Sequence, residues 1–306
     1  MSAITKVLKR ASFEVYRNMD RLGIHVLPKH FYAPVQDYRW LTKNVPLWAR
    51  RVDLTGVEWD LDEQLKWIRE ICTPYYQEVQ GFSGYRAATG YGLGYGEIES
   101  QVLHCVIRHY KPPRIIEVGS GVSSFCAQQA CELNERQCGT PSTMICIEPY
   151  PKSELLSMRR IQVVRKTLQQ IDLSIFRQLD AGDLLFIDSS HAVKTGSDVL
   201  MLYLEVIPML KPGVFIHSHD IMLPYTYCRD SLENYFDWQE TSLLLALLKG
   251  NPHLKILSCL SALHYGKRDA LKAILPDYDQ QEESGPGLAP RAARGHFPSS
   301  TWLVTA

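Results

Sequence analysis

The order of apolar segments predicts an α/β protein with a doubly wound, mostly parallel sheet and helices on both faces. From Glu97 onward, short β-branched runs alternate with longer segments of helical periodicity, and this alternation is typical of a parallel sheet. Ile115, Ile116 and Val118 show no polar alternation, which indicates a strand that helices cover on both faces. A chain of 306 residues with 45% hydrophobic content can bury one large core, or one core and a smaller satellite.

Six strands are predicted after residue 97, with helices in the gaps between them. The predicted strands lie at 115–118, 144–147, 161–164, 184–187, 214–217 and 255–260. The predicted helices lie around 98–106, from about 122 onward, at 199–209 and at 241–249. A proline–glycine turn in LKPGV ends the helix at 199–209 and begins the fifth strand.

The two ends of the chain are less regular. Residues 1–96 are predicted to form a mainly helical, aromatic-rich cap that shapes the substrate site or mediates dimerisation, with one clear helix at 61–71. The first helix carries an apolar stripe, which favours packing or a homodimer interface over a lipid surface. Segment 276–299 is poor in large apolar residues, so a long exposed loop is expected before strand character returns at 300–305.

A glycine-rich segment separates the cap from the regular part of the chain. Its sequence GYGLGYG, at positions 90–96, is either a mobile hinge that presents Tyr91 and Tyr95 to a ligand or a plain loop before the next helix. The sequence favours neither reading over the other.

The stretch from Arg114 to Ser124, RIIEVGSGVSS, is the most informative part of the chain. Its strand ends in an acid, and Gly119 and Gly121 then let the backbone turn sharply and let a ligand lie against the main chain. Ser120 and Ser123 suit the start of a helix, whose free N–H groups would favour polar or anionic ligand groups. Similar turns also occur for purely structural reasons, so the turn alone does not identify a ligand.

Acids follow three predicted strands at the edge where a doubly wound sheet binds its ligand. Glu117 precedes Gly119 by two residues, and a carboxylate buried there needs hydrogen-bond donors. Glu148 ends the second strand, where a carboxylate can accept both hydroxyls of a ribose. Asp188 ends the fourth strand in LLFIDSSH. We therefore expect one nucleoside-type cofactor to contact all three acids, with Pro149 beside its base.

These motifs resemble those of the class I S-adenosylmethionine-dependent methyltransferases over about residues 97–275. The Glu-x-Gly-x-Gly turn is similar to the family's first signature, LLFIDSSH to its fourth motif, and LKPGV to its turn before the fifth strand. The resemblance implies a Rossmann-like, seven-stranded sheet with an antiparallel last strand, in a methyltransferase domain at 97–306. It also implies S-adenosyl-L-methionine as cofactor, bound by Glu117, Gly119, Ser120, Gly121, Ser123, Glu148, Pro149, Asp188 and Ser189.

The resemblance is strongest to a bacterial branch that methylates hydroxyl groups of small molecules such as natural-product sugars and polyketides. It implies a small-molecule acceptor and a place in natural product biosynthesis. A hydroxyl acceptor needs a base near neutrality, and the ordinary pKa of histidine, about 6.5, suits this role. His191 and His219 are the candidate bases, in a catalytic set with Asp188. The alternative for each is a structural histidine whose hydrogen bonds are satisfied within the core. The same alternative applies to His217, which we expect to point to the other face of the sheet.

Asp188, His191, His219 and Asp220 could instead meet as a divalent-metal site. Oxygen and imidazole ligands from two adjacent strand ends suit magnesium or a transition metal. Some members of the family use a metal at this place to hold substrate hydroxyls. A second carboxylate at the position of His219 would make a stronger magnesium site, so the sequence leaves the metal open.

Composition and charge narrow the possible partners. The 33 Lys and Arg balance 33 Asp and Glu, so no net field attracts nucleic acid or an anionic membrane. No run of about eighteen apolar residues occurs and the N-terminus does not resemble a signal peptide, so no transmembrane segment is expected. The eight cysteines include no metal-type Cys-x-x-Cys pair, and buried free thiols would fit a cytoplasmic protein.

Two other functions are compatible with parts of this pattern. A nicotinamide-dependent oxidoreductase also has a glycine-rich turn after its first strand, but its fingerprint needs a third glycine where Ser124 stands. Glu117 and Glu148 also weigh against it. A non-catalytic S-adenosylmethionine-binding protein could keep the sheet and the cofactor turn without an acceptor site, although none of the motifs is degenerate.

Overall fold

The computed structural model describes residues 3–27, 29, 32–33, 35–80, 94–289 and 296–306, with the backbone alone for 3–10. The predicted hinge residue Tyr91 and the part of the predicted loop at 290–295 lie outside the described residues. The strands are β1 Arg114–Val118, β2 Thr143–Ile147, β3 Ile161–Val164, β4 Leu184–Ile187, β5 Phe215–Ser218, β6 Leu254–Cys259 and β7 Thr301–Thr305. Each predicted strand is present and begins within one residue of its expected position.

All seven strands form one sheet in the order β3-β2-β1-β4-β5-β7-β6. The pairs from β3 to β5 are parallel, and β7 is antiparallel to both of its neighbours. The predicted doubly wound, mostly parallel seven-stranded sheet is therefore confirmed. The chain proceeds from β1 to one side through β2 and β3 and to the other through β4 and β5, so the carboxyl ends of β1 and β4 flank the switch point where such sheets bind ligands.

Helices cover both faces of this sheet. They are α1 Ala3–Asp20, α2 Tyr38–Lys43, α3 Val45–Trp48, α4 Leu61–Cys72, α5 Tyr76–Val79, α6 Glu97–Tyr110, α7 Val122–Cys138, α8 Ser153–Leu156, α9 Asp198–Met201, α10 Ile207–Met209, α11 Glu240–Leu248, α12 Leu260–Gly266 and α13 Arg268–Ile274. Two short 3₁₀ helices, Leu168–Gln170 and Leu173–Gln178, lie between β3 and β4. Within the described ranges, no helix has the length and apolar character needed to cross a bilayer.

The strand side chains alternate between two apolar cores. Ile115 and Phe186 belong to the core that contains side chains of α4, α6 and α7. Ile116 and Ile187 belong to the other core, with side chains of α9 and α11. Burial of the strands on both faces explains why the sequence shows apolar runs rather than alternation.

α4 lies before residue 97 and packs in the first of these cores. Leu65, Ile68 and Ile71 form its buried face, and Asp60 caps its start by accepting two backbone N–H groups of the first turn. Part of the predicted N-terminal region thus covers the sheet directly. The division at residue 97 and the role of region 1–96 in substrate binding or dimerisation stay predictions.

The helix predicted at 199–209 is interrupted by a π-helical segment. α9 passes into Leu202–Val206, which has π-helical hydrogen bonding, and α10 follows it. Such segments occur often at functional sites. Tyr203, within this segment, directs its hydroxyl to Glu240 at 2.7 Å.

The segment at 276–299, predicted as an exposed loop, is exposed only in part. Its described part contains no helix or strand, as expected, but Tyr278, Gln281 and Leu288 are buried. Arg229 donates hydrogen bonds to the side chain of Gln281 and to the backbone oxygen of Glu282. These contacts to Arg229 hold part of the segment against the rest of the molecule although it has no secondary structure of its own.

Candidate functional site

The turn between β1 and α7 touches the end of β4. Gly119 has φ of +86°, which favours glycine, and a Cβ there would lie 1.8 Å from the backbone oxygen of Asp188. The N–H groups of Gly119 and Asp188 donate to the carbonyls of Ile147 and Val118, which ties the ends of β1, β2 and β4 together. Glycine is therefore required at this position for the two strand ends to approach each other.

Glu117, in β1, is buried and bonded to the chain itself. Ser123 and Ser124 each donate a 2.5 Å hydrogen bond to its carboxylate, and the Cys146 thiol donates another at 2.9 Å. Burial raises the pKa of Glu117 to about 7 against the effect of these donors. The side chain holds the first turn of α7 against the sheet. Its direct contact with a cofactor stays a prediction.

The other predicted cofactor-binding residues border an open space at the same edge. Among the described residues, no atom beyond the chain neighbours of Gly121 lies within 4 Å of the position that a Cβ there would take. Glu148 is half-buried and is held by the Ser120 hydroxyl at 3.3 Å and the Tyr150 N–H at 2.8 Å. The hydroxyl oxygen of Ser189, just after β4, is buried and has no hydrogen-bond partner. This edge therefore offers both room and an unsatisfied polar group for a ligand.

His191 lies between three carboxylates at the ends of β4 and β5. Its Nε2 is 3.3 Å from Oδ1 of Asp188 and 3.5 Å from Oδ2 of Asp220. Its Nδ1 is 2.7 Å from Oε2 of Glu240. Burial alone would lower the pKa of His191, but the hydrogen bonds to Asp188 and Glu240 outweigh it and raise this pKa well above its ordinary value. The protonated imidazole is the favoured form.

The carboxylate of Asp188 is stabilised in its charged form by the same histidines. Burial would raise the pKa of Asp188, but the nearby His219 and His191 outweigh burial and hold the pKa below its usual value. Asp188 and His191 therefore form an ion pair beside the turn at Gly119.

The backbone is strained at both sides of this cluster. φ is +58° at His191 and +53° at Asp220, the left-handed region that costs a non-glycine residue about 1–3 kcal/mol. The His191 carbonyl accepts the N–H of Gln239, and the Asp220 carbonyl accepts the Thr241 hydroxyl. Two strained residues that face each other with titratable side chains make this cluster a candidate functional site.

Glu240 and Tyr203 belong to this site although the sequence analysis did not select them. Glu240 is the first residue of α11, and its two oxygens accept from Tyr203 and face His191 respectively. The Tyr203 hydroxyl also contacts Ser218. An acid in the first turn of a helix is favoured by the helix dipole, which was the only visible signal. Nothing in the sequence connects Glu240 to a histidine 49 residues earlier.

His219, the second predicted base, is paired with a different carboxylate. Its Nε2 is 3.0 Å from the Gly94 carbonyl and its Nδ1 is 3.3 Å from Oε1 of Glu99. The ring centroids of His219 and His191 are 6.3 Å apart. Burial would lower the pKa of His219, but the charges of Asp220 and Glu99 outweigh it and raise this pKa well above its ordinary value. Its side chain is 1% exposed against 10% for His191, so His191 is the more accessible of the two.

The four predicted metal ligands lie close together, and the His191 ring lies between the two aspartates. Asp188 and Asp220 both face Nε2 of His191, and His219 lies 3.7 Å from Asp220. In the part of the chain that the structure describes, the metal-type ligand atoms that all lie within 4.8 Å of one another belong to Glu99, His219 and His296. Glu99 and His296 were not selected from the sequence.

His217 occupies a structural position. It is fully buried, its ring stacks on Phe186 at 4.0 Å, and its Nε2 lies 3.2 Å from the Tyr95 hydroxyl. Burial, helped by the nearby His219, lowers its pKa to about 3. Tyr95 is itself buried beside these histidines, with its ring centroid 5.0 Å from that of His219.

An aromatic strip borders His191 on the side of α11. The Trp238 ring lies 4.7 Å from the His191 ring, centroid to centroid. Phe236 stacks on Trp238 at 6.1 Å and contacts Tyr235 at 4.5 Å. Tyr235 and Phe236 are 82% and 50% exposed. These rings offer an apolar surface to a molecule that approaches the imidazole.

A family model described as a methyltransferase domain matches residues 116–221. The match runs from β1 to just after β5 and contains Gly119, Glu148, Asp188 and His191. An uncharacterized protein of Archaeoglobus fulgidus is 28% identical over 165 residues, which is 50% of this chain and 73% of that protein.

Solved methyltransferase structures resemble this chain at low identity. The SAH-bound methyltransferase PaMTH1 of Podospora anserina is 14% identical with a TM-score of 0.41, over 92% of this chain and 99% of that one. The O-methyltransferase TomG of Streptomyces achromogenes, in complex with SAM, is 14% identical with a TM-score of 0.42, over 82% of this chain and 92% of that one. At such distances the likeness carries no argument about the substrate.

Proposed function

We propose that this chain, in which residues 116–221 match a methyltransferase domain, transfers a methyl group from S-adenosyl-L-methionine to a hydroxyl oxygen of a small molecule. One observation carries the proposal. Gly119 of the glycine turn contacts Asp188, and Asp188 contacts His191, so the turn that would hold the methyl donor is adjacent to a candidate base. Alignment of donor and acceptor supplies much of the barrier reduction in such a transfer.

The donor would lie along the glycine turn and across the end of β2. The backbone at Gly119 and Gly121 would receive its amino acid end, with help from Ser120. Glu148 would accept the ribose hydroxyls, and Pro149, half-buried next to it, would border the adenine. Ser189 supports this placement because its buried hydroxyl has no partner within the described chain.

The nicotinamide alternative receives no support from this turn. Ser124, which stands where the dinucleotide fingerprint needs a glycine, donates a 2.5 Å hydrogen bond to Glu117 and accepts one from the N–H of Gly121. The third position is therefore used to brace the turn with a side chain, which a glycine could not do.

The reaction needs an in-line displacement and the removal of one proton. Bound S-adenosyl-L-methionine would supply an activated methyl group, whose carbon–sulfur bond would break as the acceptor oxygen bonds to the carbon, leaving a neutral thioether. When His191 is neutral, with its Nδ1–H donated to Glu240, its Nε2 can accept the acceptor proton. Asp188 and Asp220 stabilise the imidazolium that forms, while Glu240 fixes the ring through Nδ1.

The surroundings of His191 favour an organic acceptor with apolar or ring surface. Trp238 and Phe236 would pack against such a molecule and bring its hydroxyl to the imidazole. We assign the protein on this basis to the modification of natural products or similar small molecules.

We also propose a cytoplasmic location and a homodimer. All eight cysteines are free, and seven of them are buried, which suits a reducing compartment. In α1, Phe13 and Val15 are 58% and 53% exposed, and a second copy of α1 would cover them. The balanced charge of the chain gives no support for a nucleic-acid partner.

Calorimetry and a product assay test the central proposal. The protein should bind S-adenosyl-L-methionine and its demethylated product but not NAD⁺ or NADP⁺. Methyl-labelled donor and a panel of phenols and sugar alcohols should then yield a labelled ether, identified by mass spectrometry. Nicotinamide binding without donor binding would overturn the proposal, and donor binding without transfer to any hydroxyl would favour the non-catalytic alternative.

A further inference from the structure

A buried glutamate and two histidines lie together near the proposed methyl-transfer site, and only one of them is part of the predicted catalytic set. We propose that Glu99, His219 and His296 bind a divalent transition-metal ion of the zinc class. Each residue comes from a different part of the fold: Glu99 from the first turn of α6, His219 from the end of β5, and His296 from the segment before β7.

The spacing of the three side chains fits one small ion. Nδ1 of His219 lies 3.3 Å from Oε1 of Glu99, and Nδ1 of His296 lies 3.0 Å from Oε2. Ligand atoms about 2.1 Å from a tetrahedral zinc are roughly 3.4 Å apart, so small side-chain shifts suffice for binding. Both imidazole nitrogens are buried, and among the described residues the polar group that each one faces is the carboxylate of Glu99. Two buried imidazole nitrogens that converge on one carboxylate have the arrangement of a metal-ligand set.

The tautomer of His219 is set for metal binding. Its Nε2 lies 3.0 Å from the carbonyl oxygen of Gly94, which can only accept a hydrogen bond. Nε2 therefore carries the proton, and in the neutral ring Nδ1 presents its lone pair toward Glu99. A backbone carbonyl that fixes the second nitrogen is the usual outer support of a metal-binding histidine.

Glu99 is oriented by donors that do not come from the histidines. Oε1 accepts the N–H of Ser299 at 3.0 Å and the hydroxyl of Ser300 at 2.7 Å. Oε2 accepts the N–H of Gly96 at 3.2 Å. The glutamate side chain is fully buried, and these bonds fix its position.

The donor set indicates the class of ion. Two imidazoles and one carboxylate suit zinc and its neighbours among the divalent transition metals, whereas magnesium prefers an all-oxygen site. Three protein ligands leave a coordination position free. One divalent ion also carries the same charge as two protons on the imidazoles, which is the competing way to neutralise this cluster.

Two of the three ligands of this metal site lie outside the proposed methyl-transfer machinery. Only His219 is shared with the predicted catalytic set, and Glu99 and His296 contact neither Asp188 nor His191 in the described hydrogen bonds and ion pairs. Methyl transfer can therefore exist without the metal, and the metal without methyl transfer.

Metal binding can be measured directly on the full chain. An untagged preparation, stripped with a chelator and dialysed, is titrated with Zn²⁺ by calorimetry, and bound metal is counted by mass spectrometry. We expect one ion per chain, and with Co²⁺ the visible absorption of a site with imidazole ligands. His296→Ala should weaken Zn²⁺ binding by about 100-fold, because even the loss of an outer support costs 10–100-fold.

The His296 variant separates a lost ligand from a damaged fold. The His296 side chain is 28% exposed, so its removal leaves the core intact, and His253→Ala removes an exposed histidine elsewhere as the matched control. Unchanged Zn²⁺ affinity in His296→Ala, or no Zn²⁺ bound to the wild type, would overturn the proposal. Protonated His219 and His296 would then be what neutralises this cluster. Preference for Mg²⁺ over Zn²⁺ would overturn the choice of ion class.

Discussion

The two sides of the switch point use opposite means to organise a ligand site. On the side of β1 and β2, the contacts are made by glycines and hydroxyls, and space is left beside Gly121. On the side of β4 and β5, His191 is enclosed by three carboxylates and the backbone is strained. The first side is shaped by small residues and open space, and the second by charge.

This difference follows from the chemistry that each side would perform. A bound nucleoside cofactor needs room, backbone donors and one acceptor for its ribose, and no group there has to change protonation during the reaction. A base must gain and lose a proton, so its neighbours have to set its pKa. Substitutions on the first side should therefore change cofactor affinity by altering the shape of the site. Substitutions on the second side should change how the reaction rate depends on pH.

The largest effect is expected at the contact between the two sides. Gly119→Ala adds a methyl group where the backbone oxygen of Asp188 would lie 1.8 Å away, and φ of +86° is unfavourable for alanine. The strand ends must separate, so S-adenosyl-L-methionine affinity should fall by more than about 1000-fold, equivalent to about 4 kcal/mol. Calorimetry measures the affinity, and far-UV circular dichroism reports whether the sheet persists.

Gly121→Ala is the matched control for this substitution, because in the described part of the chain no atom beyond its chain neighbours lies within 4 Å of the added methyl group. It should fold as the wild type does, and any loss of affinity would come from the cofactor itself. Equal cofactor affinity in Gly119→Ala and the wild type would contradict the close contact.

His191→Asn should give the second largest effect. Asparagine tolerates the left-handed backbone at φ of +58° better than alanine does, so the fold is preserved. Loss of the base should lower kcat by about 100- to 10,000-fold while the cofactor Kd stays nearly constant. Single-turnover methyl transfer provides the rate, and calorimetry the Kd. A full rate in this variant would place the base elsewhere.

Glu240→Gln should change the pH dependence of the reaction. The hydrogen bonds to Asp188 and Glu240 raise the pKa of His191, so the neutral base becomes available only as pH rises through that pKa. Removing the Glu240 charge should lower the pKa of His191 and shift the acidic limb of kcat/KM to lower pH by about one unit or more. The maximal rate at high pH should fall, since a weaker base remains.

Tyr203→Phe tests whether charge causes this shift. It removes the hydroxyl that donates to Glu240 at 2.7 Å but keeps the carboxylate beside His191. The acidic limb should then move by much less than in Glu240→Gln. If both variants shift it equally, the geometry of α11 rather than its charge controls the base.

The sequence predicts the sheet well and the site in part, for a physical reason. Strands and turns leave local signals, so the sequence pattern by itself places Gly119, Glu148 and Asp188 at strand ends. It does not reveal Glu240 and Glu99, because each lies in the first turn of a helix and faces a histidine far along the chain. The same is true of the buried side chains Tyr278, Gln281 and Leu288 in segment 276–289, whose packing depends on distant partners rather than on local composition.

Glu117→Gln should have the smallest effect on activity. The pKa of Glu117 is raised to about 7, so near neutrality the carboxyl is already partly protonated and a neutral amide resembles it. Cofactor affinity at pH 6 should change less than about threefold if the side chain only braces Ser123 and Ser124, and a larger loss would support its predicted direct contact with the cofactor.

The same variant should alter how stability depends on pH. In the wild type the unfolded carboxyl loses its proton near 4.5 and the folded one near 7, so unfolding is favoured as pH rises between these values and the loss of stability levels off above them. The loss is on the order of 3 kcal/mol. Urea unfolding of both proteins at pH 5 and pH 8 isolates this contribution as the difference between their pH dependences. Parallel pH dependence would mean that Glu117 ionises in the folded protein as it does in solution, and the brace would then be a carboxylate held by its three donors rather than a protonated carboxyl.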